Sequence, residues 1–159
     1  MDYNNILRNK IILFFNEKKF ADIPMEVKNC YINGSRNFKI KNVKDIINEI
    51  NCIENVLSNV IWKQNYDMTI TYDDIYLLNG YIQKKFKDEL FSPEYLYLNK
   101  ERLAFYKKFD IKSIFSNSKI ILRIKGENGI HIGDGYHKIF SALSKIESIT
   151  FKCTVGFNK

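Results

Sequence analysis

A chain of 159 residues with 45% hydrophobic side chains suits one domain and is long enough to bury ~68–70% of its unfolded surface without metals or disulfides. Lys and Arg number 25 against 18 Asp and Glu, a formal charge of +7 that favours anionic partners: nucleotides, nucleic acid or acidic protein surfaces. Three widely spaced cysteines (Cys30, Cys52, Cys153) and two histidines (His131, His137) exclude a disulfide scaffold, a paired-ligand zinc site and a His-rich cage, and fit reduced thiols in a cytoplasm.

Leu7, Ile11, Phe14 and Phe15 recur at helical spacing and predict a first helix from about Tyr3 to Phe20, broken by Asp22-Ile23-Pro24. Its apolar run Ile11–Phe15 is short and followed by Glu17, Lys18 and Lys19, so it is no signal peptide. No stretch approaches the ~20 apolar residues of a bilayer span, so a cytoplasmic protein with no membrane partner is expected. Asn33-Gly34-Ser35 reads as a turn between two extended segments, Val27 to Ile32 and Asn37 to Ile40, with Arg36 just past it.

From Val43 onward Ile46, Ile47, Ile50, Ile53, Leu57, Val60 and Ile61 step by three and four, the clearest helical face in the chain and a core element. A further helix is expected after Thr71, boxed by Asp74, through Ile75, Leu78, Ile82, Phe86 and Leu90. Ser92-Pro93 and Asn99 are the next start signals, the latter for a helix through Leu103 and Tyr106. Tyr95, Tyr97, Phe105, Tyr106 and Phe109 could stack bases, but aromatic residues at such spacing more often glue helices to a sheet.

After Ser116-Asn117-Ser118 the periodicity changes. Lys119 to Lys125 reads as a strand, Gly126-Glu127-Asn128-Gly129 as a hairpin turn and Ile130 to Gly133 as its partner. The last strand alternates: Ile149, Phe151, Cys153, Val155 and Phe157 on one face, Thr150, Lys152 and Thr154 on the other. Cys153 is thus a small core residue, and His131 faces away from Ile130 and Ile132. The chain reads as one domain, 1–159, mainly helical over 1–117 and strand-loop-helix-strand over 118–159.

Between those strands stands Gly133-Asp134-Gly135-Tyr136-His137-Lys138, running into a helix-like segment, Ile139 to Ile146. Two glycines let the backbone turn tightly and leave room for a ligand, and the amides that open a helix carry partial positive charge. His137 and Lys138 add two donors beside the same helix start, which suits a phosphate-bearing ligand. Each residue also has an ordinary use. Asp134 alone is more readily an N-cap for the amide of Tyr136 or His137, worth ~1 kcal/mol. His137 alone is an ordinary surface or half-buried histidine and Lys138 a solvated charge.

The stretch Ile130 to Leu143, followed by the strand Ile149 to Val155, resembles the signature of the ParB/sulfiredoxin-like superfamily, in which a strand ends in Asp-Gly-x-His-Arg or a related loop and a helix and strand follow. The resemblance covers about residues 119 to 157. It implies an α+β fold, a mainly helical N-terminal part packed on a small mixed sheet of ParB/sulfiredoxin-like type, and nucleotide handling at the loop: partition proteins bind and cleave CTP, sulfiredoxins use ATP, and relatives include a free-serine kinase.

Carried onto this chain, His137 and Lys138 match the His-Arg pair on nucleotide phosphates, with Lys in place of Arg and hence a looser geometry. Asp134 matches the acidic position that holds metal or activates a nucleophile, and Gly133, Gly135 and Tyr136 complete the ligand loop. Tyr136 stands where sulfiredoxins carry their reactive cysteine, which argues against sulfur chemistry. An early Arg approaches the nucleotide in this superfamily, and Arg36 is the residue available for it. Because Asp134 would repel a phosphate, Mg²⁺ is expected between them.

Three functions stay open at this level. The first is nucleotide binding at Asp134–Lys138, with Mg²⁺-dependent hydrolysis or phosphoryl transfer in which Asp134 is catalytic and metal-binding. The second is a non-catalytic phage-type anti-defence protein that sequesters a nucleotide or cyclic nucleotide signal or blocks a host protein; the Asn-, Ile- and Lys-rich, Pro-poor composition resembles AT-rich coding sequences. The third is a DNA-associated, partition-like accessory protein.

Overall fold

The computed structural model of the chain describes residues 1–75, 100–116, 119–124 and 129–159. It divides into two compact units, Met1–Trp62 with Lys159, and Lys63–Asn158. The division falls inside a strand, well upstream of the change in periodicity near residue 117.

In the first unit, α1 (Tyr3–Phe15) starts at Asp2, whose carboxylate accepts from the Asn5 amide at 3.1 Å, and buries Leu7, Ile11, Phe14 and Phe15. It stops short of Phe20. Lys18–Phe20 instead form a 3₁₀ turn that folds the Phe20 ring back to 4.3 Å from Phe14. The two extended segments expected around Asn33-Gly34-Ser35 are replaced by a helix, α2 (Met25–Gly34), and a 3₁₀ turn, Ser35–Asn37.

The reasons are local and tertiary together. Pro24 occupies the N-cap position, Glu26 complements the helix dipole in the first turn, and Val27 is buried as α2 packs on α1. Gly34 stays right-handed at φ −67°, so Asn-Gly makes no hairpin turn. Side chains take up the carbonyls at the far end: Asn4 Nδ2 donates to Ser35 O at 3.1 Å and Phe38 O at 2.6 Å, and Ser35 Oγ to Ile32 O at 2.6 Å.

Helix α3 (Val43–Leu57) is capped by Asn42, which accepts from the Asp45 amide at 3.0 Å. Ile46, Ile53 and Leu57 are buried, whereas Ile47 is 54% exposed and lies outside the core it was expected to join. Val60 and Ile61 do not extend the helix. They open β1 (Val60–Thr71), a strand that the helical spacing concealed.

The second unit is built on a mixed sheet in the order β1-β4-β2-β3, with β2 at Ile121–Ile124, β3 at Ile130–Asp134 and β4 at Ser148–Asn158. β2 runs parallel to β4, pairing Leu122 with Val155, and antiparallel to β3, pairing Leu122 with Ile132. Cross-strand contacts from β1 to β4 step backwards along β4: Tyr66 to Cys153, Asp67 to Lys152, Thr69 to Thr150. Those two strands are therefore antiparallel. The fold is α+β, with N-terminal helices and a four-stranded mixed sheet.

Among the described residues three helices belong with the sheet: α4 (Lys100–Lys107), α5 (Ile111–Phe115, capped by Asp110) and α6 (Tyr136–Leu143). Leu103, Ile114, Ile139, Phe140 and Leu143 join Leu122, Ile132, Ile149, Phe151, Cys153 and Val155 in one core. The alternation of β4 is as its sequence predicts, except that Thr154 on the second face is also buried.

The Thr71–Asp74 box is present but caps only a 3₁₀ turn, Tyr72–Asp74. Ile75 then bridges in parallel to Ile130, so it is not helical. The rest of that expected helix, the Ser92-Pro93 and Asn99 start signals, Tyr95, Tyr97 and most of the Gly126–Gly129 turn lie outside the described residues. Among the described residues no helix is long and apolar enough to cross a membrane.

The Asn4 contacts give a direct test of the α1–α2 arrangement. Asn4→Ala should lower stability by about 1–3 kcal/mol in urea unfolding, and Asn4→Asp, which cannot donate, should do the same. Unchanged unfolding in both would mean that the carbonyls do not depend on this side chain.

Candidate functional site

Strand β3 delivers the loop. Register slips between Ile121 and Leu122, which pair with Asp134 and Ile132, so Gly133 is the extra residue of a bulge. A Cβ there would lie 3.2 Å from Ile121 Cγ2. Gly135 follows in the left-handed region, φ 104° and ψ 18°, and a Cβ there would come within 2.4 Å of Ile120 Cδ1. Gly135 is thus required by its left-handed backbone and the Ile120 side chain beneath it, whereas at Gly133 Ile121 would have to give by a few tenths of an ångström. The space expected for a ligand beside the glycines is filled by Ile120 and Ile121; Gly133, Asp134 and Tyr136 are exposed.

Gly135 is also the N-cap of α6, and the first intrahelical bond runs from the Ile139 amide to Gly135 O at 3.0 Å. The helix therefore begins at Tyr136, three residues earlier than expected, and ends at Leu143. Tyr136, His137 and Lys138 form its first turn. Asp134 is not the cap: no side chain caps this helix, and the Asp134 carboxylate stands exposed at the end of β3.

The phase of α6 aims Ile139, Phe140, Ala142 and Leu143 into the core and turns His137 and Lys138 towards α4. The two helices are locked by buried Ser141, whose Oγ donates to Leu103 O at 3.2 Å. Lys138 Nζ sits 5.7 Å from the Tyr106 ring centroid, a cation–π contact. Half-buried His137 lies within the field of Arg102. Its pKa is held below the ordinary histidine value, mainly by burial and further by that guanidinium, so the ring is neutral at pH 7. Tyr136 lies parallel to Phe140 at 6.2 Å, and burial raises its phenol pKa, which keeps it protonated.

Arg102 is thus a site residue that sequence reasoning missed, and Tyr106 enters as the partner of Lys138. Arg102 and Tyr106 are four apart on one helix, but nothing local ties them to a loop thirty residues later. The aromatic residues of α4 and just beyond it also depart from expectation. Phe105 is 53% exposed and Phe109 40%, with ring centroids 5.2 Å apart, and neither glues helix to sheet. That role falls to Phe115, stacked 4.7 Å from Phe151 on β4.

The remaining candidates stand apart from this group. Arg36 is exposed in the Ser35–Asn37 turn of the first unit, whereas the loop belongs to the second. His131, expected to face solvent or an edge, is half-buried with its Nε2 shut off from solvent, and pairs in register with Arg123. Cys153 is buried, and burial together with the Asp67 charge pushes its thiol to about 11, so it is no nucleophile. Among the described residues no three His, Cys, Asp or Glu side chains gather into a metal set. A phosphate-bound Mg²⁺ needs only one or two carboxylates, and exposed Asp134 fits that lesser demand.

Gly135→Ala should cost about 2 kcal/mol or more in urea unfolding, through left-handed strain and collision with Ile120. Gly34→Ala, right-handed with nothing within 4 Å, should be neutral or stabilising. For His137, the unfolded chain takes up a proton more readily than the folded one. Stability is therefore undiminished above about pH 6.5 and declines as pH falls towards the depressed folded value. His137→Gln should flatten that part of the melting-temperature profile between about pH 7.5 and pH 5; parallel profiles would contradict it. Comparison with known protein families, curated proteins and solved structures finds no match to this chain.

Proposed function

We propose that the chain binds a nucleotide or nucleotide-derived ligand at the first turn of α6. The observation that carries this reading is the convergence of His137, Lys138 and Arg102 from two helices beside a helix N-terminus. Phosphate oxygens would meet first-turn amides and these side chains, each contact strengthened by charge. Arg102 supplies the planar fork that Lys138 lacks, which answers the main departure from the ParB/sulfiredoxin-like signature. The exposed rings of Phe105, on the same helix as Arg102, and of Phe109, just past its end, offer a face for a base.

Neutral His137 would donate one N–H to the phosphate or take up a proton as it binds. Asp134, exposed at the strand end, would hold Mg²⁺ together with phosphate oxygens, and the ion would offset charge on the phosphates. Turnover makes a further demand, that Asp134 orient an attacking hydroxyl or water. A second reading is binding without turnover in order to sequester a nucleotide signal, motivated by Lys138 and Tyr136 in place of the signature's arginine and reactive cysteine.

Calorimetry and melting with nucleoside triphosphates and cyclic nucleotides, with and without Mg²⁺, test the proposal. His137→Ala, Lys138→Ala and Arg102→Ala should each weaken binding by roughly ten- to a hundredfold, about 1.5–3 kcal/mol. Chromatography of the mixtures separates the two readings: Mg²⁺-dependent product lost in Asp134→Ala marks an enzyme, and intact ligand recovered from a tight complex marks a sequestering protein. No response to any nucleotide would overturn both, and retention on DNA that fades with salt would then favour the DNA-associated role.

A further inference from the structure

Helix α3 turns Ile46, Ile53 and Leu57 into the first unit, yet it carries a second apolar row. Val43, Ile47 and Ile50 recur at i, i+4 and i+7, and Leu13 on α1 joins them along one groove of about 440 Å³ between the two helices. Leu13 is 69% exposed, Val43 58% and Ile47 54%, whereas Phe14 and Ile46, which also line the groove, are buried. Scattered exposed aliphatic residues are ordinary, but three gathered around one groove with charged ends mark a surface that another element covers.

The charges on this surface say which element that is. Lys10 borders the groove on α1, and Glu17, just past the end of the same helix, borders it as well, with Leu13 between them. Lys19 is bonded to Glu54 and lies 3.5 Å from Glu17, so the Glu17 end holds two acids against one cation. A face with a cation at one end, an acidic excess at the other and an apolar strip between is complementary to itself after a half-turn. Two-fold dimers require this property, because the same patch serves both partners. A partner carrying charge of one sign would be repelled at one end of the face. Leu13 projects as a knob, and the groove beside it is a hole of the kind such a knob fills.

We propose that the α1–α3 face binds a second copy of this chain about a two-fold axis near Leu13, with Lys10 opposite the partner's Glu17 and Leu13 seated in the partner's groove. Every residue involved belongs to the first unit and none to the α6 loop.

Sedimentation equilibrium of the full chain tests this, at about 0.15 M salt, where a Debye length of about 8 Å screens the overall charge of +7. The expected result is a reversible monomer–dimer equilibrium over about 1–300 μM. Ile47→Glu, at an exposed position, should weaken dimerisation at least tenfold by placing a charge within the apolar strip. Should that variant fail to fold, Leu13→Lys takes its place. Lys10→Glu and Glu17→Lys should each weaken it roughly three- to tenfold, since the two-fold axis counts every mismatch twice. The combined variant K10E/E17K should return to within about twofold of the parent chain. A chain that sediments as a monomer throughout, a dimer indifferent to these substitutions, or a combined variant no better than the single ones would overturn the assignment.

Discussion

The site region depends on a single left-handed residue. Gly135 ends β3, caps α6 and lies against Ile120, so one backbone conformation sets where the helix begins and which way it faces. Any side chain there would meet both torsional strain and Ile120. Because the helix starts at Tyr136, its phase sends Ile139, Phe140, Ala142 and Leu143 inward and leaves His137 and Lys138 to face α4. Had the cap fallen at Asp134, every one of those side chains would point about a quarter-turn elsewhere.

Electrostatics at this junction are unfavourable in the free protein and are managed in two ways. Lys138 rests over the Tyr106 ring, which offers its negative face to the ammonium. His137 sheds its charge, since burial and Arg102 both oppose protonation. In the proposed reading an anionic guest beside Arg102 would make a charged His137 acceptable. That is the physical content of the proposed function. The glycines mislead when read alone, because their lack of side chains serves Ile120 and Ile121.

The two units organise their interiors differently. In the first, aromatic rings carry much of the packing: Phe14, Phe15 and Phe20 meet within 4.3–6.0 Å, and Asn4 completes the end of α2 with side-chain hydrogen bonds. In the second, one apolar sheet face packs on α5 and α6, with Leu122 at its centre between Ile132 and Val155. Pairing β2 with the chain's last strand joins segments that are local in neither sequence nor time of synthesis. This explains why the hairpin is visible in the sequence and the sheet order is not.

Periodicity alone determined a good deal of this protein: α1 and α3, the β2–β3 pair, the long alternating β4 with Cys153 inside, and the strand-loop-helix junction where His137 and Lys138 sit. These features are legible because each rests on neighbours within a few residues, spaced by the geometry of one helix or one strand. Tertiary structure decided the rest. Val60 and Ile61 fit a helical count but became strand, because β1 has β4 to pair with. Asn33-Gly34 fits a hairpin turn, but the segment became helix because α1 covers Val27 and Asn4 serves the carbonyls. Arg102 beside His137, and Phe105 and Phe109 left open to solvent, depend on α4 meeting α6 some thirty residues apart, and no local pattern records which helix faces will meet.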